Sequence, residues 1–113
     1  MRIAVNASGE LPHADIGRMR EHAARAAEEG FHGWWLAQTG LVDALTVFPA
    51  VADSAPGLEL GSAVIPTFPR HPTMLAGQAL TTQAVLGDRD LVLGIGLSHK
   101  PAIEGSLGLS FDR

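Results

Sequence analysis

The residues whose types and spacing could do chemistry lie in one glycine-rich turn, Gly94-Ile95-Gly96-Leu97-Ser98-His99, after an apolar run. Such a turn after a strand can cradle a phosphate, expose a nucleophile or let a flat ring lie against the backbone. The dinucleotide pattern Gly-x-Gly-x-x-Gly fails because His99 stands at its third glycine. The nucleophile elbow Gly-x-Ser-x-Gly fails at Lys100, and Pro101 and Gly105 then predict no helix N-terminus aimed at a phosphate. The turn therefore favours a ring, and its histidine is either a functional group or an incidental loop residue.

Other candidate side chains lie near the ends of apolar runs. Gln38 directly follows the run Trp34-Trp35-Leu36-Ala37 and is a candidate for hydrogen-bonding a heterocycle, since the sequence gives it no evident structural task. We expect the two tryptophans to pack as core on opposite faces of a buried strand. His22 is expected to be a solvated helix residue, and the sequence gives no convergent set of metal ligands.

A proline-rich stretch follows the third apolar run. Residues 61–72 hold three prolines and a glycine in "GSAVIPTFPRHP", so this backbone cannot continue a regular ladder. We expect either a bulge beside a ligand site or simply a stiff loop.

Composition restricts the classes of protein that the chain can represent. It has 113 residues, 46% hydrophobic and 18% charged, which is typical of one small globular domain. Its net charge of −4 and scattered basic residues argue against nucleic-acid binding. The absence of cysteine excludes disulfides, thiolate catalysis and cysteine-ligated metals. Without a signal peptide or an apolar run of ~18 residues, we expect a cytoplasmic protein that does not enter a membrane.

Apolar periodicity predicts alternating strands and helices. Strands are expected over residues 2–6, 34–37, 58–65 and 91–96, and helices over about 12–29, 41–52 and 72–86, with Pro49 kinking or splitting the second helix. Continuous apolar strands between helices indicate a parallel α/β sheet, either an open doubly wound sheet or part of a (β/α)8 barrel. In both, function lies at the carboxyl ends of the strands. The inner face of the third helix is expected to comprise Met74, Leu75, Ala79, Thr82, Val85 and Leu86.

Three segments together resemble the luciferase-like flavin or deazaflavin oxidoreductases, the bacterial luciferase superfamily. They are "AEEGFHGWWLAQ", "LGSAVIPTFPRHPTMLAGQALTT" and "GDRDLVLGIGLSHKP", which resemble the family's second strand, its third strand with bulge and helix, and its fourth strand. The fourth strand departs from the usual Gly-Arg-x-x-Leu-Gly-Ile-Gly as if one residue were added after Arg89. The resemblance covers essentially the whole chain and is closer to the coenzyme F420-dependent branch.

The resemblance implies a (β/α)8 TIM barrel whose open end binds a flat tricyclic ring. It implies a non-proline cis peptide in the third-strand bulge, at Ala63-Val64 or, with a one-residue gap, at Ser62-Ala63. Residues that it places near the ring are Ala37, Gln38, Ala63, Val64, Gly96, Leu97 and Ser98. Many relatives have an acidic residue or a histidine where Gln38 stands, so direct proton transfer there is in doubt. His99 matches the place of an acid used near the substrate in some relatives and is the catalytic candidate.

A complete barrel takes about 250 residues, so the chain corresponds to at most the first four strands and three helices. The family's later strands commonly bind the phosphate tail of the cofactor. We therefore expect either a truncated product or a half that another chain completes. Purified alone, the chain is expected to be weakly stable or self-associating and to bind the coenzyme poorly, because open sheet edges pair readily.

The leading functional hypothesis is the N-terminal portion of an oxidoreductase that transfers hydride between coenzyme F420 and a small organic substrate. One alternative is an FMN-dependent monooxygenase of the same family, and another is a catalytically silent fragment or interaction module. No metal is expected, because a (deaza)flavin carries the redox chemistry itself.

Overall fold

The computed structural model describes residues 1–9, 14–40 and 42–112. The starts predicted for the first two helices, at Pro12 and Leu41, lie outside these residues. The elements are β1 (Ala4–Asn6), α1 (Ile16–Glu28), β2 (Gly33–Leu36), α2 (Ala44–Ala52), β3 (Glu59–Ser62), β4 (Ile65–Pro66), α3 (Pro72–Leu86), β5 (Leu91–Val92), β6 (Ile95–Gly96) and a π-helical turn (Pro101–Ser106).

The main sheet has four parallel strands in the order β1-β2-β3-β5, so its strands are neighbours in the order of the chain. A doubly wound sheet instead reverses its strand order at a switch point and carries helices on both faces. Here residues from all three helices join one core on one face of the sheet, among them Met19, Phe48, Leu75 and Leu86. Sequential order with helices on one face is the arrangement of a barrel wall.

Alternation along β2 separates the two faces of this wall. Trp34 and Leu36 are fully buried under the helices, and their neighbours Val5 and Leu60 join the same core. Trp35 therefore lies on the other face, which in a barrel is the interior. In register with Trp35 are Asn6 on β1 and Gly61 on β3.

Pro49 was predicted to kink or split the second helix, and the split is wrong, because α2 runs from Ala44 to Ala52 through it. Pro49 has no N–H, so the carbonyl of Leu45 lacks its helical donor. The hydroxyl of Thr82 on α3 donates to that carbonyl at 3.3 Å. A neighbouring helix thus satisfies the group that the proline leaves unpaired.

Two predicted strands are each divided in the structure. Residues 58–65 form β3 and β4, and residues 91–96 form β5 and β6, with β4 and β6 pairing as a separate two-stranded parallel sheet. The division falls at a bulge in the third strand. The wall therefore has two parts, the main sheet and an upper rim formed by the bulge, β4 and β6.

After the glycine-rich turn, residues Pro101–Ser106 form a π-helical turn that buries Ile103. One further expectation, the inner face of the third helix, is corrected. On α3 only Leu75, Thr82 and Leu86 are buried, while Met74 and Val85 are more than 60% exposed. The helix has no charged residue along its whole length, so apolarity alone could not distinguish its inner face.

Candidate functional site

The upper rim of the wall is built around a bulge at residues 62–64. The peptide between Ala63 and Val64 is cis and does not involve proline, at the first of the two positions that the resemblance implied. Ser62 is buried, and its hydroxyl donates to the carbonyl of Gly94 at 2.8 Å and accepts from its N–H at 2.9 Å. The Ser62 side chain therefore satisfies both backbone groups of Gly94, which lies between β5 and β6, where the strand pairing is interrupted.

Backbone hydrogen bonds fix the bulge on its other side as well. The N–H of Ala63 donates to the carbonyl of Leu36 at 2.8 Å, and the N–H of Gln38 donates to the carbonyl of Val64 at 3.1 Å. Beyond the bulge, the N–H groups of Ile65 and Thr67 donate to Gly94 and Gly96. The end of the second strand, the bulge and the last strand thus form one connected rim.

The two glycines of the last strand give space to the bulge. A Cβ on Gly94 would lie 2.0 Å from the carbonyl oxygen of Ser62, and one on Gly96 would lie 2.7 Å from Cγ2 of Val64. The side chain of Val64 therefore covers Gly96 while remaining 39% exposed. From the sequence these glycines were expected to make room for a ring. In the structure the space next to them is filled by the side chain of Val64, so a ring would contact the outer surface of Val64.

The turn after β6 continues from this rim. Leu97 is exposed, and Ser98 has a φ of 61°, a left-handed conformation that residues other than glycine rarely adopt. His99 is exposed, and its carbonyl accepts from the N–H of Ile103, which begins the π-helical turn. The structure therefore brings Gln38, Ala63, Val64 and Gly96 together through direct contacts, and Leu97, Ser98 and His99 follow without a gap.

Gln38 has structural contacts that the sequence did not indicate. Its Oε1 accepts from the N–H of Ala44, at the start of α2, at 3.2 Å and from the Arg70 guanidinium at 3.0 Å. Arg70 also pairs with Asp43 and donates to Gln78 at 2.9 Å. The side-chain oxygen of Gln38 is thus hydrogen-bonded to the start of α2 and to Arg70, and a role in binding a cofactor stays a prediction.

Asp43 begins α2 by accepting from the N–H and hydroxyl of Thr46. Partial burial alone would raise the pKa of Asp43, but the hydrogen bonds from Thr46 and Arg70 and the charge of Arg70 outweigh it, and the pKa is lowered. The sequence analysis missed this ion pair. Its only signal was an aspartate one residue before a helix, which is a frequent N-cap pattern.

The tryptophan pair divides between the two faces of the wall. Trp34 is in the core and donates through Nε1 to Nδ1 of His22 at 2.9 Å, so His22 is a hydrogen-bonding partner and not merely a solvated residue. Trp35 lies over Gly61, where an added Cβ would approach its indole to 2.6 Å, and it donates to Glu59 at 3.2 Å. Only the first of the pair is a core residue under the helices.

The end of β1 carries a polar group that the sequence analysis did not select. Ser8 donates from its N–H to Oδ1 of Asn6 at 3.0 Å, and its hydroxyl donates to the same oxygen. That hydroxyl accepts from the N–H of Ala37 at 2.8 Å. Asn6 is thereby tied to the end of β2, beside Gln38.

Within residues 1–9, 14–40 and 42–112, no group of three or more histidine, aspartate or glutamate side chains could hold a metal ion. The described helices also include none that is both long and apolar enough to cross a bilayer.

Comparison with known protein families identifies the family of this chain. The sequence model described as luciferase-like monooxygenase matches residues 1–113, the whole chain. The chain belongs to this family. The luciferase-like resemblance stated from three sequence segments is therefore confirmed, whereas no curated protein matches the chain.

Solved structures show the same fold in other luciferase-like proteins. The monooxygenase RslO1 from Streptomyces bottropensis is similar at 22% identity and a TM-score of 0.76, over 97% of this chain and 37% of its own. The oxygenating constituent of 3,6-diketocamphane monooxygenase from Pseudomonas putida, solved with FMN, is similar at 15% identity and a TM-score of 0.80, over 96% and 32%. The coenzyme F420-dependent tetrahydromethanopterin reductase from Methanopyrus kandleri is similar at 22% identity and a TM-score of 0.73, over 98% and 30%.

The luciferase-like chain thus spans about a third of the length of these structures. These luciferase-like enzymes are TIM barrels, so the four-stranded wall with its three helices is part of a (β/α)8 barrel, as predicted.

Proposed function

We propose that the chain is the N-terminal portion of an oxidoreductase that transfers hydride between coenzyme F420 and a small organic substrate. The observation that carries this proposal is the rim itself. Val64 of the bulge packs over Gly96 and leaves an exposed apolar surface at the carboxyl ends of the strands, which is the end where the F420 branch that the sequence resembles binds its ring. A fold shared with both F420- and FMN-dependent proteins supports a flat tricyclic cofactor of one of these two kinds.

The residues of the rim fit a flat ring. Val64 presents methyl groups at the surface, and Gly96 beneath it has no side chain that would hold a ring away from the wall. We assign ring binding to Ala63, Val64, Gly96, Leu97 and Ser98, with the backbone of Gln38 fixing the Val64 carbonyl. When bound, a deazaflavin supplies the hydride chemistry, while the protein supplies placement and exclusion of water.

His99 is the proposed acid or base. It stands just past the rim on an exposed turn, so its imidazole is free to meet a substrate that lies over the ring. An imidazole is suited to proton transfer near neutral pH. Gln38, by contrast, cannot exchange protons in this way, and its oxygen already accepts from Ala44 and Arg70.

A specific observation favours a second candidate, an FMN-dependent monooxygenase. The structure solved with FMN superimposes with a TM-score of 0.80 over 96% of this chain. The third candidate stays a catalytically silent fragment or interaction module.

We also propose that the wall is completed by another chain or by self-association. Its edge strands within the described residues are β1 and β5, and the apolar side chains of Leu93, Ile95 and Leu97 are exposed beside the latter. An apolar cavity of about 520 Å³ adjoins this edge, lined in part by Phe68, Leu75 and Ile95. Exposed apolar surface at an open sheet edge is where a partner would pack. The cytoplasmic location expected from the sequence stays a prediction.

The test is to mix the purified chain with reduced coenzyme F420 and, separately, with FMN, and to follow the absorbance band of each. Val64→Ala should weaken ring binding by about tenfold, since roughly 0.8 kcal/mol is lost for each methyl group removed from contact. Val85→Ala, at an exposed valine on α3, is the matched control and should leave binding unchanged.

A stronger response to FMN than to F420 would favour the monooxygenase. Equal binding by the two variants would contradict the proposed ring site. A sharp monomeric unfolding transition together with micromolar coenzyme binding would contradict the expectation that the chain needs completion.

A further inference from the structure

Asn6 lies at the carboxyl end of β1, on the interior face of the wall. Val5 packs against the core under the helices, so alternation directs Asn6 to the opposite face, in register with Trp35. The residue is exposed. It is therefore a polar side chain at the open end of the barrel wall, and the proposed ring site uses none of its atoms.

The orientation of its amide is determined by its neighbours. The N–H of Ser8 can only donate, so the Asn6 atom 3.0 Å away is the oxygen and not the nitrogen. The Ser8 hydroxyl accepts from the N–H of Ala37, which leaves its own proton for the same Asn6 oxygen. The relay from Ala37 through Ser8 thus holds Oδ1 of Asn6 with two donors.

This arrangement leaves the NH₂ group of Asn6 as the part that can meet a ligand. No described residue accepts a hydrogen bond from Nδ2. A neutral amide held in this way can donate but offers no further acceptor and transfers no proton. Whatever binds beside it must therefore present a hydrogen-bond acceptor.

Resting on the proposed function, we propose that Asn6 is a ligand-binding residue that donates through Nδ2 to a carbonyl oxygen or ring nitrogen of the bound heterocycle. Flavins and deazaflavins both carry carbonyl oxygens on the pyrimidine part of their rings, so the contact selects the ring class and not one coenzyme. Ser8 is a positioning residue, because it acts only through the amide that it orients.

The sequence offers a clean probe of this contact, because Asn6 is its single asparagine. Selective ¹⁵N labelling of asparagine gives one side-chain NH₂ signal. The 113-residue chain is titrated with lumiflavin, an isoalloxazine ring without the phosphate tail, and separately with coenzyme F420. We expect the NH₂ signal of Asn6 to move with ring concentration and, in a second sample labelled uniformly with ¹⁵N, the backbone signals of Val64 and Gly96 to move as well.

Variants separate the hydrogen bond from the added charge. Asn6→Asp replaces the NH₂ donor with a carboxylate and should raise the dissociation constant for either ring about tenfold or more, as expected for a lost hydrogen bond plus repulsion of an acceptor. Gln78→Glu adds the same charge on α3, next to Arg70, and should change binding by less than about twofold. Ser8→Ala frees the amide to rotate and should have an intermediate effect.

The outcomes distinguish the two proposals. If the ring shifts Val64 and Gly96 while the Asn6 signal stays still and Asn6→Asp binds as wild type does, the role of Asn6 is refuted and the ring site stands. If neither ring shifts any of these signals at millimolar concentration, both proposals are refuted.

Discussion

Replacing Gly94 with alanine tests whether the glycines of the last strand serve the bulge. The added Cβ would lie 2.0 Å from the carbonyl oxygen of Ser62, whereas ordinary contacts of this kind begin at 3.4 Å. The atom that it meets is backbone, so it cannot be relieved by a side-chain rotation. Either the bulge or the last strand must move by more than about 1 Å, which would also separate the Ser62 hydroxyl from Gly94.

The cost follows from these two effects. Overpacking of a rigid site costs about 1–3 kcal/mol, and two buried hydrogen bonds contribute about 1 kcal/mol each. We therefore expect Gly94→Ala to lower the free energy of unfolding by about 3–5 kcal/mol, a large share of the roughly 5–15 kcal/mol of a typical domain. In urea unfolding followed by circular dichroism, the midpoint should fall by at least about 1 M.

Gly77→Ala is the matched control. Gly77 lies within α3, and a Cβ there would meet nothing within 4 Å. Alanine in a helix is favoured over glycine, so this variant should gain up to about 1 kcal/mol. If Gly94→Ala is as stable as wild type to within about 0.5 kcal/mol, the interlocking of bulge and strand derived from the structure is wrong.

Three further predictions concern single side chains. The disadvantage of Asp43→Asn relative to wild type in urea unfolding should persist from about pH 6 down to the ordinary aspartate pKa of about 3.8 and shrink below it, because a lowered carboxyl pKa stabilises the fold above the unfolded-state pKa and that stability is lost as the pH falls through the folded-state pKa; a constant difference down to about pH 2 would contradict the Arg70 pairing. His99→Ala should leave the unfolding midpoint unchanged, since the side chain is exposed, and lower substrate turnover by about 100-fold; unchanged turnover would exclude it as acid or base. Ile95→Lys, among the exposed apolar side chains beside β5, should reduce self-association in sedimentation velocity, and an unaltered distribution would exclude this edge as the contact surface.

Strand and helix order could be predicted from sequence because apolar runs and helical periodicity alternate without ambiguity. The resemblance implied a cis peptide at Ala63-Val64 or Ser62-Ala63, and the first of these positions holds it. The division of the strands was missed, because residues 91–96 and, apart from Glu59, residues 58–65 are apolar or small, and only the contact of Ser62 with Gly94 shows where the strand pairing is interrupted.

The sequence could not predict hydrogen bonds between residues that lie far apart in the chain. Pro49 was expected to kink or split α2, and the hydroxyl that satisfies the Leu45 carbonyl comes from Thr82, far away along the chain. Gln38 appeared to have no structural contact because Arg70 reaches it from the loop before α3. Asn6 was overlooked because its orientation depends on Ser8 and Ala37 together.

Trp34 and Trp35 are adjacent in the chain but lie on opposite faces of the wall, so each indole fluoresces from different surroundings. Trp34 is buried in the core and donates a hydrogen bond to the imidazole of His22. Trp35 lies over Gly61 on the interior face of the wall and donates a hydrogen bond to the carboxylate of Glu59. Emission from the first records whether the helices remain attached to the sheet. Emission from the second records what lies against the interior face of the wall, so the protein carries a reporter of that face that is separate from its reporter of folding.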